Sequence, residues 1–300
     1  MRSAVLALLA ALAPALLSAQ PCQPGQAGEK PVFLTFDTGH MGVAPLIAAT
    51  LKKFDARATF FLASEPTLSG GTTLDEQWAP WWRERAAEGH DFGSHTWDHD
   101  IWLEDLPPAA NGEARFKVRT VAGENKPLVR ELTAGQYCES LKKVAQRFQE
   151  MTGRPMGPIF RAPAGKTSPA LLAAARSCGF SSVGWSPAGF LGDELPSDRY
   201  PNAQLLERAL RTIRPGDILL AHLGIWSRQD AWAPAVLEPL MQGLKDRGMC
   251  FAPLREHPRY AALFHEAPAP AAVGAAVGHG GGGGRKIEAR TLARVETGRP

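Results

Sequence analysis

His95 and His99 stand four positions apart in the chain, a separation at which two imidazoles can bind one divalent metal ion. Side chains at positions i and i+4 of a helical turn share a face, which brings both rings to one side. An isolated pair at this spacing is more often two surface or capping histidines. The metal interpretation therefore depends on what surrounds the pair.

Other polar and aromatic side chains also end, or directly follow, short apolar runs. They are Asp37 and Thr38 after 32–36, His95 and His99 after 91–94, Arg161 near the end of 159–162, Trp185 at the end of 182–185, and His222 after 218–221. The carboxyl ends of parallel strands form the active-site face of α/β proteins. We therefore expect these side chains to meet at one edge of a sheet.

A repeating strand and helix pattern must position these residues. The predicted strands are 32–36, 58–62, 91–95, 159–162, 182–185, 218–221 and 250–254, and the predicted helices are 43–54, 74–87, 133–152, 169–177, 203–213 and 236–247. Glycines follow most of the helical stretches, as helix-ending glycines do. The alternation predicts an α/β protein with a parallel sheet, either open or closed into a barrel.

Four segments resemble, in order, motifs of carbohydrate esterase family 4, the NodB-homology polysaccharide deacetylases. They are Thr35-Phe36-Asp37-Thr38, His95-Thr96-Trp97-Asp98-His99, Arg161-Ala162-Pro163-Ala164-Gly165 and Ile218-Leu219-Leu220-Ala221-His222. Each motif is weak alone, but their order and context make the resemblance specific. It implies the fold of that family, a distorted (β/α)7 barrel.

The resemblance also implies roles for single residues. Asp37 would be the general base for the attacking water, His222 the general acid for the leaving amine, and Arg161 the partner that keeps Asp37 ionised. His95 and His99 would bind a divalent metal, foremost Zn²⁺, with Co²⁺ or another ion as alternatives. The implied substrate contacts are Pro163, Ala164, Gly165, Trp185 and Trp226, with core packing as the alternative for the two tryptophans.

Thr38 departs from the family pattern, in which a second Asp completes the metal site. A neutral hydroxyl is a poor replacement for a carboxylate ligand. Three outcomes follow: a weaker site of two histidines plus waters, a third ligand from His40 or Asp98 beside Thr38, or loss of metal and catalysis. Peptidoglycan deacetylases of the muramic acid type carry Asn at this position, and the His-x-Trp-x-His segment is similar to theirs.

The fourth family motif is also altered, because no carboxylate follows Trp185 until Asp193. Contact of Asp193 with His222 is one alternative, but we favour the interpretation of Asp193 as a solvated loop residue. Without a carboxylate partner, His222 is expected to be less basic and less often protonated at neutral pH.

The ends of the chain differ from its centre. Residues 1–19 have a basic start, an apolar run and small residues at 18–19, which predicts an export signal, with an uncleaved anchor as the alternative. Residues 20–30 are a lead-in, 31–258 the deacetylase domain, and about 105–131 an insertion with a hairpin in 115–132. The tail, 264–300, is rich in Ala, Pro and Gly and is predicted to be disordered.

Charge and cysteine content limit the partners and the compartment. The formal charge of +3 comes from Arg2 and the tail, so the domain is neutral and carries no nucleic-acid footprint. We expect a monomer without stable membrane insertion, exported to the periplasm or secreted. The four cysteines allow three pairings; Cys22 with Cys250 is one prediction, and four buried thiols are the alternative.

These features predict a hydrolase of carbon–nitrogen bonds other than peptide bonds. It would remove N-acetyl groups from a cell-envelope or extracellular polysaccharide, either peptidoglycan or a chitin-like glycan. The alternatives are a glycan-binding relative with impaired catalysis, motivated by Thr38 and by the missing carboxylates of the fourth motif, and a deacylase of another small amide on a sugar.

Overall fold

The computed structural model describes Cys22 and residues 28–122 and 128–266. The predicted export signal and nearly all of the predicted tail lie outside these residues. Within the described ranges, no helix is long and apolar enough to cross a membrane.

A seven-stranded parallel sheet forms the centre of the domain, and a three-stranded antiparallel sheet lies beside it. In chain order the strands are β1 (Pro31–Asp37), β2 (Thr59–Leu62), β3 (Asp91–Ser94), β4 (Asp100–Leu106), β5 (Arg115–Thr120), β6 (Leu128–Thr133), β7 (Ile159–Phe160), β8 (Ser181–Ser182), β9 (Ile218–His222) and β10 (Cys250–Phe251). The parallel sheet has the order β10–β1–β2–β3–β7–β8, with β9 also paired to β1. The predicted α/β class is confirmed.

The parallel sheet is not a closed ladder of strands, because β8 and β9 do not pair directly. The segment 186–191 spans the gap between them. The Ser186 N–H donates to the Ile218 carbonyl at 3.0 Å, and the Leu220 N–H donates to the Gly189 carbonyl at 2.8 Å. Irregular backbone therefore lies between β8 and β9, where a regular closed barrel would have directly paired strands.

The helices begin and end within a few residues of their predicted bounds. They are α1 (Ala44–Lys53), α2 (Ala79–Ala87), α3 (Ala134–Thr152), α4 (Pro169–Ser177), α5 (Asn202–Thr212), α6 (Leu237–Asp246) and α7 (Ala261–Glu266). Thr133 and Gln136 form a capping box at the start of α3, and the Ser168 side chain accepts from the Leu171 N–H at the start of α4. These local caps explain why sequence patterns locate the helices well.

The antiparallel sheet contains the predicted hairpin, because β5 pairs with β6 from Arg115↔Thr133 to Thr120↔Leu128. Its third strand, β4, was not predicted. β4 begins at Asp100, directly after His99, and so joins this sheet to the segment that carries both histidines. The buried residues Phe116 and Val118 pack this sheet against α3.

Two disulfides link distant parts of the chain. Cys22 pairs with Cys250, which confirms the predicted pairing, and Cys138 in α3 pairs with Cys178 at the end of α4. The alternative of four buried thiols is wrong. The second bond joins two neighbouring helices whose apolar faces share one core.

Candidate active site

Strand register brings the chemistry-bearing residues to one edge of the parallel sheet. β1 and β9 run side by side with Asp37 opposite His222. On the other side of β2, His95 follows the last residue of β3, and Ser94 of that strand lies opposite Phe160 of β7. Arg161 comes next in the chain, and its N–H donates to the Ser94 carbonyl at 2.9 Å. Four side chains from four strand ends thus face a common site.

Asp37 and Arg161 form a buried ion pair at this site. The Arg161 Nη1 donates to Asp37 Oδ1 at 2.7 Å, and the two residues are 0% and 3% exposed. The remaining guanidinium donors bind the carbonyls of Val183 and Gly184, and the group lies over the Phe61 ring at 4.3 Å. Burial alone would raise the pKa of Asp37, but the charge of Arg161, aided by His95 and His222, holds that pKa below its usual value.

His95 and His99 lie together, but the helical turn expected from their spacing is wrong, because 95–99 is an irregular turn in which Thr96 and His99 have left-handed φ values. Their ring centroids are 4.8 Å apart and the planes are nearly perpendicular. The His95 Nδ1–H donates to the Arg161 carbonyl at 2.8 Å, which leaves Nε2 with a free lone pair 3.5 Å from Asp37 Oδ2. Burial lowers the pKa of His95 to about 4, so the ring is neutral at pH 7, as a metal ligand must be.

His222 has a carboxylate partner, which corrects the sequence-based interpretation of Asp193. Asp193 is 3% exposed and therefore not a solvated loop residue. Its Oδ2 accepts from the His222 N–H at 2.6 Å, and its Oδ1 lies 3.1 Å from His222 Nδ1. The side chain is therefore fixed to His222, which was the less favoured of the two sequence-based alternatives.

The predicted weak basicity of His222 is wrong for the same reason. Burial would lower the pKa of His222, but the charge and hydrogen bond of Asp193, together with Asp37 and Glu194, raise it to about 9. At neutral pH His222 is protonated while Asp37 is ionised. The site therefore holds one proton donor and one proton acceptor on adjacent strands.

Comparison with known proteins identifies the family of this chain. The family model described as polysaccharide deacetylase matches residues 25–183, more than half of the chain. The chain belongs to the polysaccharide deacetylase family. The prediction of a hydrolase acting on carbon–nitrogen bonds other than peptide bonds is thereby confirmed.

Two sequence relatives and one solved structure each match most of this chain. The chain is 28% identical over 240 residues to a chitooligosaccharide deacetylase of Azorhizobium caulinodans, covering 74% of this chain and 92% of that protein. It is 26% identical over 228 residues to the peptidoglycan-N-acetylmuramic acid deacetylase PdaA of Bacillus subtilis, covering 76% and 71%. A CE4 family pseudoenzyme of Bacillus anthracis has a similar fold, with a TM-score of 0.53, 20% identity and coverage of 80% and 69%.

Deacetylases of this family generally depend on a divalent metal ion, and the two histidines fit one. Imidazole nitrogen suits Zn²⁺ and Co²⁺ among other ions. Besides the free Nε2 of His95, the Nδ1 of His99 is buried and has no hydrogen-bond partner among the described residues. A buried nitrogen without a partner is costly unless something binds it.

Among the residues that the structure describes, no carboxylate completes such a site as a third ligand. The Thr38 hydroxyl accepts from the Ala63 N–H at 3.0 Å. The His40 Nδ1 accepts from the Gly42 N–H at 3.0 Å, and Asp98 binds Arg130 at 2.9 Å. In the described part of the chain, no third His, Cys, Asp or Glu groups with both imidazoles within 4.8 Å. Among the described residues, neither His40 nor Asp98 therefore supplies a third ligand, which leaves two of the three outcomes: two histidines plus waters, or loss of metal and catalysis.

The remaining predicted residues of this deacetylase lie around the site without meeting at one point. Pro163, Ala164 and Gly165 form a short turn after Arg161, and Ala164 has a left-handed φ of 56° that leaves it exposed. Gly165 lies against the Trp185 ring, where a Cβ would be only 2.6 Å from it. Trp226 is 63% exposed and packs edge-on against His40, with ring centroids 5.2 Å apart. Trp226 is thus exposed enough to contact a substrate, whereas Trp185 is half-buried against other residues.

Two residues at the site were missed by sequence reasoning. Glu194 Oε2 lies 3.7 Å from His222 Nε2, and Arg130 of β6 binds the two carboxylates on either side of His99. No motif marks either of them.

Proposed function

We propose that this protein hydrolyses N-acetyl groups on a cell-envelope or extracellular polysaccharide, with a divalent metal ion, foremost Zn²⁺, held by His95 and His99. The observation that carries the proposal is the pair formed by Asp37 and His222. They lie on adjacent strands and are held in opposite protonation states by Arg161 and Asp193. Amide hydrolysis needs a base for the water and an acid for the leaving amine.

Each residue contributes a distinct act. Asp37 accepts the proton of the attacking water, and Arg161 holds the carboxylate ionised and oriented. His222 donates from Nε2 to the leaving nitrogen, because Asp193 occupies the Nδ1 side. A bound divalent ion would polarise the acetyl carbonyl and make water more acidic. The exposed backbone N–H of Ala164 is our candidate for stabilising the oxyanion.

Peptidoglycan and chitin-like glycans are the two substrate classes to compare. The altered first motif at Thr38 and the His-x-Trp-x-His segment are similar to the muramic acid type of peptidoglycan deacetylase, and PdaA carries that activity in its name. We place peptidoglycan first for this reason. The likeness to a chitooligosaccharide deacetylase keeps chitin-like oligomers as the second class.

The test is acetate release by the purified protein from peptidoglycan and from chitooligosaccharides, with Zn²⁺ or Co²⁺ supplied and with a chelator as control. We expect metal-dependent release from at least one substrate and a fall of about 10²-fold or more in Asp37→Asn. Absence of release from both substrates, or equal release by the variant, would overturn the proposal.

Thr38 supports one alternative, a glycan-binding relative with impaired catalysis. The second motive for that alternative, an acid histidine without a carboxylate, is removed by Asp193. Glycan binding by the metal-loaded protein without any acetate release would favour the alternative.

We further propose that residues 1–19 are an export signal and that the domain acts in the periplasm or outside the cell. Two disulfides support this location, since such bonds persist in oxidising compartments. Polysaccharide is the only partner that we propose, and the protein would act as a monomer. Expression with and without residues 1–19, followed by fractionation, tests the signal.

A further inference from the structure

The segment that carries His99 has an unusual backbone. Thr96 and His99 both have left-handed φ values, 61° and 52°, although neither is glycine. This region is unfavourable for residues with a Cβ and especially for a β-branched one such as Thr. The conformation of 96–100 therefore needs support from contacts outside the segment.

One side chain provides much of that support. The Arg130 Nη2 donates to Asp98 Oδ2 at 2.9 Å and to both carboxylate oxygens of Asp100 at 3.0 Å. Asp98 and Asp100 flank His99 in the chain, so a single guanidinium nitrogen joins the residues on both sides of it. The Asp100 carboxylate is fully buried and also accepts from the Thr120 hydroxyl at 2.6 Å.

The two histidines are held in different ways. The His95 ring is fixed directly, through Nδ1 and the Arg161 carbonyl. The His99 ring has no such bond, since its Nδ1 lacks a partner among the described residues. Its place depends on the backbone of 96–100. At Trp97 that backbone is held by the Ser64 N–H and the Ser140 hydroxyl, each at 2.8 Å, and around His99 it is held by Arg130 of the antiparallel sheet.

We propose that Arg130 is a positioning residue for His99 and thereby sets the affinity of the histidine pair for a divalent metal. The inference rests on the proposed metal role of the pair. Without Arg130, the buried Asp100 would lose its cation, and Asp98 and Asp100 would repel each other across His99. The strained turn would then open, and His99 would leave the position where it faces His95.

The test compares Arg130→Ala with Arg115→Ala. Arg115 lies in the same sheet and pairs with Glu131 at its surface, so it is a matched control for loss of an arginine. Hydrogen exchange of the metal-free protein over 95–101 reports the turn, and titration with Zn²⁺ and Co²⁺ reports metal affinity. We expect Arg130→Ala to speed exchange in that segment and to weaken binding about 10- to 100-fold.

A second pair of variants separates positioning from folding. Lysine keeps the positive charge but lacks the rigid planar guanidinium, so it would hold the two carboxylates less precisely, and Arg130→Lys should recover the melting temperature more fully than the metal affinity. Asp98→Asn removes one of the two contacts from a partly exposed position and should give a smaller change in the same direction. Unchanged exchange over 95–101 in both Arg130→Ala and Asp98→Asn, or an equal change in Arg115→Ala, would overturn the proposal. If the wild-type protein bound no metal, the metal proposal would fail, and the exchange measurement would still decide whether Arg130 holds the turn.

Discussion

The site contains two ion pairs, each formed by one carboxylate and one cation. One pair presents a base to the site, and the other presents an acid. In the base half, the permanent charge of Arg161 lowers the pKa of Asp37 and leaves a carboxylate facing the site. In the acid half, the carboxylate of Asp193 raises the pKa of His222 to about 9 and leaves an imidazolium facing the site. In both halves the partner is buried and the working group points to the common edge. The same interaction therefore makes a base or an acid, depending on which member is presented.

The halves also differ in how they are built. Asp37 is the last residue of β1 and Arg161 directly follows β7, and the pairing of the strands brings the two residues together. His222 ends a regular strand, but Asp193 lies in irregular backbone. The base half is thus a product of the sheet, and the acid half depends on the path of one segment.

The largest effect should come from breaking the base half with Asp37→Asn. An amide cannot accept the proton of water, so we expect activity to fall by about 10²- to 10⁴-fold. Acetate release is measured beside circular dichroism and thermal melting, because the variant also leaves Arg161 without its buried partner. Asp246→Asn, on the exposed end of α6, is the control and should keep full activity. A folded Asp37→Asn protein with more than a tenth of the normal rate would show that this carboxylate is not the base.

Breaking the acid half with Asp193→Asn should change the pH dependence. His222 donates only when protonated, and without the carboxylate its pKa would fall below about 9, because less would oppose the effect of burial. The alkaline limb of kcat/KM should therefore move to lower pH, with a larger loss of activity at pH 8 than at pH 6.

Asp193→Asn should also change how the stability of the protein depends on pH. A raised folded-state pKa stabilises the protein fully below the unfolded pKa, and this contribution is lost as pH rises through about 9. Melting temperatures of the wild type should therefore fall between pH 7 and 10 more than those of Asp193→Asn. Asp198→Asn, an exposed neighbour in the same segment, is the control for both measurements. An alkaline limb that stays in place in Asp193→Asn would contradict this account of the acid half.

The difference between the two halves also explains which residues of the site could be predicted from the sequence. The helices were located by their caps, and the strands by short apolar runs bounded by glycines. Because the strand ends carry Asp37, His95, Arg161 and His222, order along the chain was enough to place all four at one edge. The two histidines four apart are local and needed no long-range information.

Asp193 could not be placed in this way. It is 29 residues from His222, and the segment between Trp185 and α5 has no periodic pattern. What brings it close is a bridge between Phe190 and Leu220, with the Leu191 N–H donating to the Leu220 carbonyl at 3.2 Å. The short apolar run 190–191, bounded by Gly189 and Gly192, was the available signal. It indicates a brief strand that ends shortly before Asp193.

Thr38→Asp should strengthen metal binding, because it adds a carboxylate as a third ligand beside the two histidines. Two imidazoles and one carboxylate are a common ligand set for a catalytic metal. We expect metal affinity to rise about tenfold or more, equal to about 1.4 kcal/mol of binding free energy. Titration of the apo-protein measures it, and Thr38→Asn, similar in size but uncharged, should bind as the wild type does. Equal affinities for the Asp and Asn variants would show that residue 38 does not face the ion.

Glu194→Gln should give the smallest effect, because this carboxylate lies at the rim of the acid half. Its Oε2 is 3.7 Å from His222 Nε2, and its side chain is 46% exposed, so solvent screens its charge. We expect the alkaline limb of kcat/KM to move to lower pH, in the same direction as in Asp193→Asn but by a smaller amount. Glu207→Gln, exposed on α5, is the control. A shift as large as that of Asp193→Asn would mean that the rim, and not the buried contact at Nδ1, sets the basicity of His222. The acid half would then depend on an exposed group, and its likeness to the buried base half would be lost.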